Sequence, residues 1–354
     1  MKSKLRILAI TLIMVLGCGL VSVNAARGNY VTVNGTELEE GNSSMTAGSG
    51  TISYDATANK LTLDNATISC EKEQAGVIVA GSRNLTIELV GTNTITNTGN
   101  LGQGITAKGE VTITGRGSLT INTKGNGVYV ATPDANALPT DSLTVKDTTL
   151  NVTSTAKDAL YASTKIVIDN SAVDLQAPAR GCAGISVSVS SVTIQNLTSK
   201  ILQASYDPIT ASTTIIDPST FAKADNYNYV KISNLYTVTA EWDVNSTVAL
   251  ETAGPSSGDA GKILAIDGDT VTATIGTADG YKIKSVLVNG KESKDSVKDG
   301  KLTFTVNGNT TLKVVSEAVE KSPKTGDEAG LYTLIAMLAL LGATATVKLS
   351  GKNN

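Results

Sequence analysis

The chain of 354 residues contains no histidine. Histidine is the side chain whose ordinary pKa lies closest to neutrality, so its absence excludes Ser-His-Asp triads, Cys–His pairs and imidazole metal sites. Arginine is scarce as well: after the first 26 residues it occurs only at Arg27, Arg83, Arg116 and Arg180. The net charge of −3 provides no excess of basic residues, so we expect no nucleic-acid partner.

Aromatic residues make up only 4% of the chain and proline only 7 positions, whereas glycine occupies 33. Threonine, asparagine, serine and valine are abundant, which is typical of β-strands joined by many turns. Apolar residues reach 41% and are regularly spaced, which excludes a disordered chain. The composition therefore predicts an all-β protein that is long enough for two domains.

The N-terminal segment combines three basic residues among the first six with an unbroken apolar run from Ile7 to Leu16. Small and apolar residues continue to Val23-Asn24-Ala25. This order predicts a secretory signal peptide over residues 1–26, cleaved after Ala25 or Ala26. A lipoprotein cleavage box at Val15-Leu16-Gly17-Cys18 is the alternative, and Leu16 fits it poorly.

The C-terminal segment has three parts in order: the motif Ser322-Pro323-Lys324-Thr325-Gly326, an apolar stretch over residues 331–347, and a basic tail over residues 348–354. The apolar stretch is close to the shortest length that spans a bilayer as a helix. Basic residues after such a span stay on the cytoplasmic side. The order therefore predicts a membrane retention segment that follows a processing site.

This tripartite segment resembles the cell-wall sorting signal of Gram-positive surface proteins. The resemblance implies that a sortase recognises Ser322, Pro323 and Lys324 and cleaves between Thr325 and Gly326. The Thr325 carbonyl would then be joined covalently to a peptidoglycan precursor, after a transient stay of the precursor protein in the plasma membrane. Ser322 departs from the leucine of the commonest motif, which leaves the sortase class open, and a single-pass membrane anchor is the alternative.

Three short apolar elements recur between the two ends. The first follows a glycine, as in Gly76-Val77-Ile78-Val79 and Gly127-Val128-Tyr129-Val130. The second begins at residues 61, 85, 111, 143, 166 and 192, and a third follows each copy several residues later. Three strands per repeat predict a parallel β-helix of about six to seven coils over residues 27–220, since each coil buries its apolar row only by stacking on its neighbours.

A column of turn-forming residues follows the second element. Four residues after its first apolar position stand residues that tolerate left-handed backbone angles: Asn65, Gly115, Asp147, Asn170 and Asn196. The copy that begins at Leu85 has Leu89 in this position and its glycine at Gly91. We interpret the difference as a two-residue shift of the register.

The repeats resemble the pectate-lyase-like right-handed β-helix proteins, and in particular a carbohydrate-binding branch of bacterial surface proteins. The stretches that carry the likeness are Leu61-Thr62-Leu63-Asp64-Asn65 and Gly91-Thr92-Asn93-Thr94-Ile95-Thr96. The resemblance implies the fold and a polysaccharide ligand.

After a linker over residues 221–235 the strands become longer and alternate between apolar and polar residues. Asp-Gly and Asn-Gly pairs, such as Asp279-Gly280 and Asn289-Gly290, separate them and indicate hairpins. We predict a small antiparallel β domain over residues 236–316, with Trp242 in its packing, and a charged stalk over residues 317–321. The stretch 280–290 is similar to part of the B-type repeats of internalin-like proteins.

Acidic side chains at the coil edges are candidate ligands for Ca²⁺, because adjacent coils bring equivalent positions within about 5 Å of each other. The candidates are Asp64, Glu88, Asp147, Asp169 and Asp174. Bound Ca²⁺ would bridge to the carboxylates of a uronic-acid polymer. The alternative interpretation is that several of them only form turns.

Tyr129 and Tyr161 follow inward apolar residues in consecutive copies of the first element, so they should stack as neighbours on one outer face. Aromatic rings there would bind the C–H face of a sugar, or the two rings would merely pair with each other.

Cys70 and Cys182 belong to the first and fifth coils, roughly 19 Å apart, so we predict no disulfide and two mostly buried thiols.

These features predict a wall-anchored surface protein whose β-helix binds a polysaccharide without catalysis, either alone or with Ca²⁺. A structural or protein-binding adhesin stalk is the first alternative. A polysaccharide lyase is the second, and the scarcity of arginine argues against it: Arg116 and Arg180 lie beside glycines in turns and have no acidic partner in the same turn.

Overall fold

The computed structural model describes residues 29–132, 140–178, 182–188, 191–210, 213–221, 227–252, 254 and 261–320. The predicted signal peptide, sortase motif, retention segment and basic tail lie outside these residues. The chain forms two compact units, which meet in sequence between Leu235 and Tyr236. Among the described residues, no helix has the length and apolar character needed to cross a bilayer.

Unit 1 consists of three sheets, which we number I to III, and the chain visits them in turn. Sheet I contains β1 (Val31–Val33), β2 (Thr36–Leu38), β7 (Gly76–Arg83), β10 (Gln103–Lys108), β13 (Val128–Val130), β16 (Leu160–Ala162) and β19 (Ile185–Val187). Sheet II contains β3 (Ser44–Ala47), β4 (Gly50–Asp55), β5 (Lys60–Asp64), β8 (Thr86–Val90), β11 (Glu110–Thr114), β14 (Ser142–Lys146), β17 (Lys165–Asp169) and β20 (Ser191–Gln195). The unit-1 strands of sheet III are β6 (Thr67–Cys70), β9 (Thr92–Asn97), β12 (Ser118–Thr123), β15 (Thr149–Ser154), β18 (Ala172–Gln176), β21 (Lys200–Ser205) and β22 (Ile215–Ile216).

Each complete repeat of the sequence contributes one strand to each sheet, and from β7 to β18 these strands run parallel to those of the neighbouring repeats. In sheet II, for example, Val111 pairs with Leu143, which pairs in turn with Ile166. Four repeats are complete, from β7 to β18, and incomplete ones precede and follow them as β5–β6 and β19–β21. The predicted all-β class and its parallel strands are therefore confirmed.

The core of unit 1 follows from the alternation of side chains along each strand. Strands such as β14 and β17 bury every second residue, because successive side chains of a strand point to opposite faces. The inward rows consist mainly of leucine, isoleucine and valine that are almost wholly buried, and these apolar side chains form one continuous cluster along the stack. Burial of each such side chain stabilises the fold by about 1.5–3 kcal/mol.

The predicted turn column is confirmed by the backbone. Its members have left-handed φ angles: Asn65 (49°), Gly115 (112°), Asp147 (52°), Asn170 (46°) and Asn196 (56°). The two-residue shift is confirmed as well, since Leu61 pairs with Ile87 and not with Leu85, and Gly91 takes the left-handed angle of 62°. Asparagine, aspartate and glycine adopt this conformation at the lowest cost, which explains why they recur at the corner between sheets II and III.

The first strands of unit 1 depart from the predicted parallel arrangement. The pairs β1–β2, β3–β4 and β4–β5 are antiparallel. These hairpins lie on the outer edges of sheets I and II and cover backbone groups that an open edge would expose.

The last repeat of unit 1 also departs from the predicted parallel arrangement. Residues 229–235, which the sequence predicted to be a linker, belong to β23 (Tyr229–Trp242), and β23 lies antiparallel between β18 and β21. A short 3-10 helix, Pro218–Thr220, precedes this strand, with Asp217 capping its N-terminus through the Ser219 amide. The third strand of the last repeat is therefore separated from the parallel stack.

Unit 2 contains the end of β23 and seven further strands. These are β24 (Ser246–Thr252), β25 (Lys262–Ile266), β26 (Thr270–Thr277), β27 (Tyr281–Val288), β28 (Lys291–Glu292), β29 (Lys301–Thr305) and β30 (Thr310–Ala318), with a 3-10 helix at Lys294–Ser296. The pairs β24–β26, β26–β29, β27–β28 and β27–β30 are antiparallel as predicted, but β23 and β30 pair in parallel.

Trp242 does not lie in the core of unit 2. It follows the buried residues Val238 and Ala240 on β23, yet 39% of its surface is exposed. Its indole ring lies against Gly261 at the surface of the unit. Of the two predicted settings of Trp242, in the core or in the packing of a hairpin, the core position is wrong.

Candidate functional site

The outer face of sheet I carries two adjacent aromatic side chains. Tyr129 on β13 pairs in register with Tyr161 on β16. The residues on either side of each tyrosine along its strand are buried, so the parallel register directs both rings outward, one above the other.

The two rings stack, as the sequence predicted. Their centroids are 5.0 Å apart and their planes differ by 13°. Tyr161 also forms a hydrogen bond through its hydroxyl group with the Ser188 hydroxyl. Burial raises the pKa of Tyr129, and the neighbouring Tyr161 and Asp141 raise it further, so the Tyr129 ring is uncharged near neutral pH.

The neighbours of the pair along the sheet are small or polar. Thr106 pairs with Tyr129 on one side, and Ser186 pairs with Tyr161 on the other. The Thr106 hydroxyl donates to the Gln103 side-chain oxygen over 3.1 Å. The outer ring face of Tyr129 therefore meets a short side chain, with hydrogen-bonding groups beside it.

Asp141 holds the chain that follows β13. It is 1% exposed, and its carboxylate accepts hydrogen bonds from the amides of Gly109 (2.7 Å) and Thr132 (2.6 Å) and from the Thr132 hydroxyl (2.7 Å). No pattern in the sequence singled out this carboxylate. Its bonds tie Gly109 and Thr132 together next to Tyr129.

The five predicted calcium ligands do not come together. Glu88 forms a salt bridge with Lys60 (2.9 Å), and Asp147 and Asp169 accept hydrogen bonds from the side-chain amides of Asn170 (2.9 Å) and Asn196 (2.6 Å). Asp64 and Asp174 accept hydrogen bonds from Asn65 (2.8 Å) and Gln176 (3.1 Å), respectively.

The register explains this separation, because it places Asp64 beside Val90 and Asp169 beside Lys146 and Gln195, while Asp174 lies in sheet III. Over the part of the chain that the structure describes, no group of three or more acidic or thiol side chains is arranged to hold a metal ion. No three of the five predicted ligands therefore form one cluster, although the Asp147 amide donates to the Asp169 carbonyl over 3.1 Å.

The two cysteines differ from the prediction in their burial. Both are free thiols, and both are partly exposed because they lie at strand ends: Cys70 closes β6, and Cys182 precedes β19. The Cys182 sulfur donates to the Ala156 carbonyl at 3.6 Å, and burial is the largest cause that raises the pKa of this thiol.

The outer face of the Tyr129 ring is an apolar surface next to the hydroxyl and amide groups of Thr106 and Gln103, a combination that suits the C–H face of a sugar ring. A sugar would place its C–H face on the exposed ring and its hydroxyl groups against Thr106 and Gln103. No protein-family model, no curated protein and no solved structure matches this chain.

Proposed function

We propose that unit 1 is a right-handed parallel β-helix that binds a polysaccharide without catalysing its cleavage. The fold proposal is supported by the repeated passage through sheets I, II and III and by the parallel register between successive repeats. A helix of this kind presents a long, stiff outer face, which suits a linear polymer.

The single observation that carries the binding proposal is the stacked pair of Tyr129 and Tyr161 on the outer face of sheet I. Stacking holds the two rings in one orientation, with the outer face of the Tyr129 ring left towards Thr106. The Tyr161 hydroxyl is held by its hydrogen bond with Ser188, and the neighbours of the pair are small. The rings that would face the sugar are therefore in place before the sugar binds. Little conformational entropy is therefore lost on binding.

We further propose that the chain is exported and attached to the cell wall. The signal peptide over residues 1–26 and the sorting signal from Ser322 to the basic tail support this proposal. A sortase would act between Thr325 and Gly326, and the peptidoglycan would carry the protein outside the cell. Unit 2 would then separate the binding unit from the wall.

A glycan array tests the binding proposal. The mature chain, residues 27–321 without tag histidines, is applied to the array in Ca²⁺ and again in chelator. Saturable binding to one class of polymer, unchanged by the chelator, is the expected result, since the predicted calcium ligands do not converge. An array on which the chain binds no polymer contradicts the proposal, whereas binding that chelator abolishes contradicts the assignment to the tyrosines.

Mass spectrometry tests the attachment separately. The full chain is produced in a sortase-bearing Gram-positive host, and the wall is digested with a muramidase. A C-terminal peptide that ends at Thr325 and carries a wall peptide is expected. Recovery of the intact C-terminal segment in the membrane fraction would show instead that the chain is a single-pass membrane protein.

A further inference from the structure

Unit 2 exposes several large apolar side chains. Among its described residues these are Trp242 (39% exposed), Val244 (98%), Tyr281 (36%) and Val319 (47%). A single exposed apolar residue is ordinary on a protein surface, whereas several at one place mark a contact with an apolar partner. The location of these four side chains therefore decides whether they form a contact surface.

The turn between β26 and β27 connects three of the four. On one side of this turn the Ala278 amide donates to the Asn245 carbonyl over 2.9 Å, directly after Val244. The Tyr281 amide donates back to the Ala278 carbonyl over 3.0 Å. On the other side the Val319 amide donates to the carbonyl of the glycine before Tyr281 over 2.8 Å. These hydrogen bonds place three exposed apolar residues around one turn.

The fourth side chain, Trp242, is the last residue of β23. This strand runs parallel to β30, and the Asp243 carboxylate accepts a hydrogen bond from the Ser316 amide near the end of β30 (2.6 Å). All four side chains therefore lie where β23 and β30 end. We call Trp242, Val244, Tyr281 and Val319 together the apolar end of unit 2.

The chain leaves unit 2 at the apolar end. Strand β30 ends at Ala318, directly before Val319. In the sequence, only residues 321–330 separate this end from the apolar stretch 331–347. A fully extended stretch of that length spans roughly 35 Å. A membrane that holds residues 331–347 is therefore always within reach of the apolar end.

Charges at the apolar end nearly cancel. Lys282 and Glu317 form a salt bridge over 3.4 Å, and Lys321 follows Glu320 in the sequence. Asp279 is exposed in the turn between β26 and β27. Because basic residues are not in excess, attraction to anionic headgroups does not provide the contact, and burial of apolar surface is the force that remains.

We propose that the apolar end docks on the lipid surface of the plasma membrane while residues 331–347 hold the chain there. Tryptophan and tyrosine suit the boundary between headgroups and acyl chains, because their rings are apolar and carry one polar group. Four side chains bind a membrane weakly by themselves, but the tether makes docking intramolecular and raises the effective concentration. Cleavage after Thr325 removes the tether and releases the end from the lipid. The inference rests on the proposed attachment of the chain.

Energy transfer from Trp242 to a dansyl group on the lipid headgroups tests the docking. Trp242 is the only tryptophan of the chain, so the donor signal comes from unit 2 alone. The exported precursor, residues 27–354, is reconstituted into phosphatidylcholine vesicles, and flotation on a density gradient shows that the vesicles hold it. Docking keeps Trp242 beside the acceptors, whereas a unit that is only tethered spends most of its time further away.

The test variant combines Val244→Asn with Val319→Asn, two exposed positions at which the change affects stability little. We expect strong energy transfer in the unchanged chain, also at high salt, and loss of most of this transfer in the double variant. Val90→Asn, which replaces a 43% exposed valine of unit 1, should transfer energy as the unchanged chain does. Each protein is also measured in vesicles without the dansyl lipid, which corrects for changes of the Trp242 emission itself.

Four results would overturn the inference. Equal transfer in the unchanged chain and the double variant, with both proteins floating, would show that these side chains do not contact lipid, and the proposed attachment would stand. An equal loss in Val90→Asn would show that the effect is not specific to the apolar end. Transfer that high salt abolishes would show that charge makes the contact. A chain that does not float with the vesicles would remove the inference and the predicted retention segment together.

Discussion

Asn93 lies inside the core of unit 1, and we predict that replacing it with leucine destabilises the unit. It is fully buried and pairs in register with Leu119, which pairs with Leu150. A comparison of equivalent positions in the next two repeats would therefore favour leucine at position 93. The structure predicts the opposite, because the Asn93 side chain satisfies the backbone at the corner between sheets II and III.

The magnitude follows from three hydrogen bonds. The Asn93 oxygen accepts from the Ala66 amide (2.8 Å), and its amide donates to the carbonyls of Val90 (3.1 Å) and Ser118 (3.2 Å). At about 1 kcal/mol each, their loss costs about 3 kcal/mol, and the buried Ala66 amide is left without its partner. Burial of the leucine side chain returns about 2 kcal/mol. We expect Asn93→Leu to lower the free energy of unfolding by about 1–2 kcal/mol, and Asn93→Ala by about 3 kcal/mol.

Urea unfolding followed by circular dichroism measures this change. Trp242 is the only tryptophan and belongs to unit 2, so its fluorescence reports that unit separately. The control is Asn122→Leu, an exposed outward asparagine on β12, which should change the stability by less than about 0.5 kcal/mol. If Asn93→Leu is as stable as the wild type or more stable, the reasoning about the buried amide is refuted.

Two pH profiles follow from the structure. In unit 2, Asp243 accepts hydrogen bonds from the Ser316 amide (2.6 Å) and the Ser246 hydroxyl (2.9 Å), and mainly the Ser316 amide lowers its pKa from 3.8 to about 2. The contribution of Asp243 to stability is therefore complete above pH 3.8 and is lost as the pH falls towards 2. Asp243→Ala should flatten this acid loss of stability, measured by Trp242 fluorescence. An unchanged slope would contradict the role given to Asp243. In unit 1, burial is the main cause that raises the pKa of Tyr54 from 10.0 to about 12, and the charge of Asp55 adds to it. The stability of unit 1 should therefore fall as the pH rises from 10 to 12. Tyr54→Phe should remove part of this fall, measured by circular dichroism. Equal alkaline slopes in the two proteins would contradict that assignment.

The repeat register could be predicted from the sequence because few residue types adopt the left-handed backbone angles at the corners. Asn65, Asp147 and Asn170 all take left-handed angles that other residues adopt at a cost. Strict alternation along the strands then determined which side chains point inward. Local physical rules of this kind act within a single repeat, and a sequence displays them directly.

The buried asparagines and a polar groove could not be predicted in this way. Asn93 and Asn97 sit in a strand rich in threonine and asparagine, where a polar residue usually faces solvent, and their burial depends on backbone groups of neighbouring repeats. Arg116 and Lys200 are far apart in the chain and line one polar groove at the corner between sheets II and III, because the stacked repeats and the inserted β23 bring these segments together. The insertion of β23 beside β18 also rests on tertiary pairing, for which the sequence contains no local signal.

The central claim is that the stacked tyrosines bind a sugar through their rings, and the affinity of Tyr129 variants tests it most directly. The wild type, Tyr129→Ala and Tyr129→Phe are titrated with the polymer identified on the array, with Tyr281→Ala in unit 2 as the control for loss of an exposed tyrosine. We predict that Tyr129→Ala weakens binding by about tenfold, while Tyr129→Phe, which keeps the ring, and Tyr281→Ala bind as the wild type does. Equal affinity of Tyr129→Ala and the wild type would contradict the account.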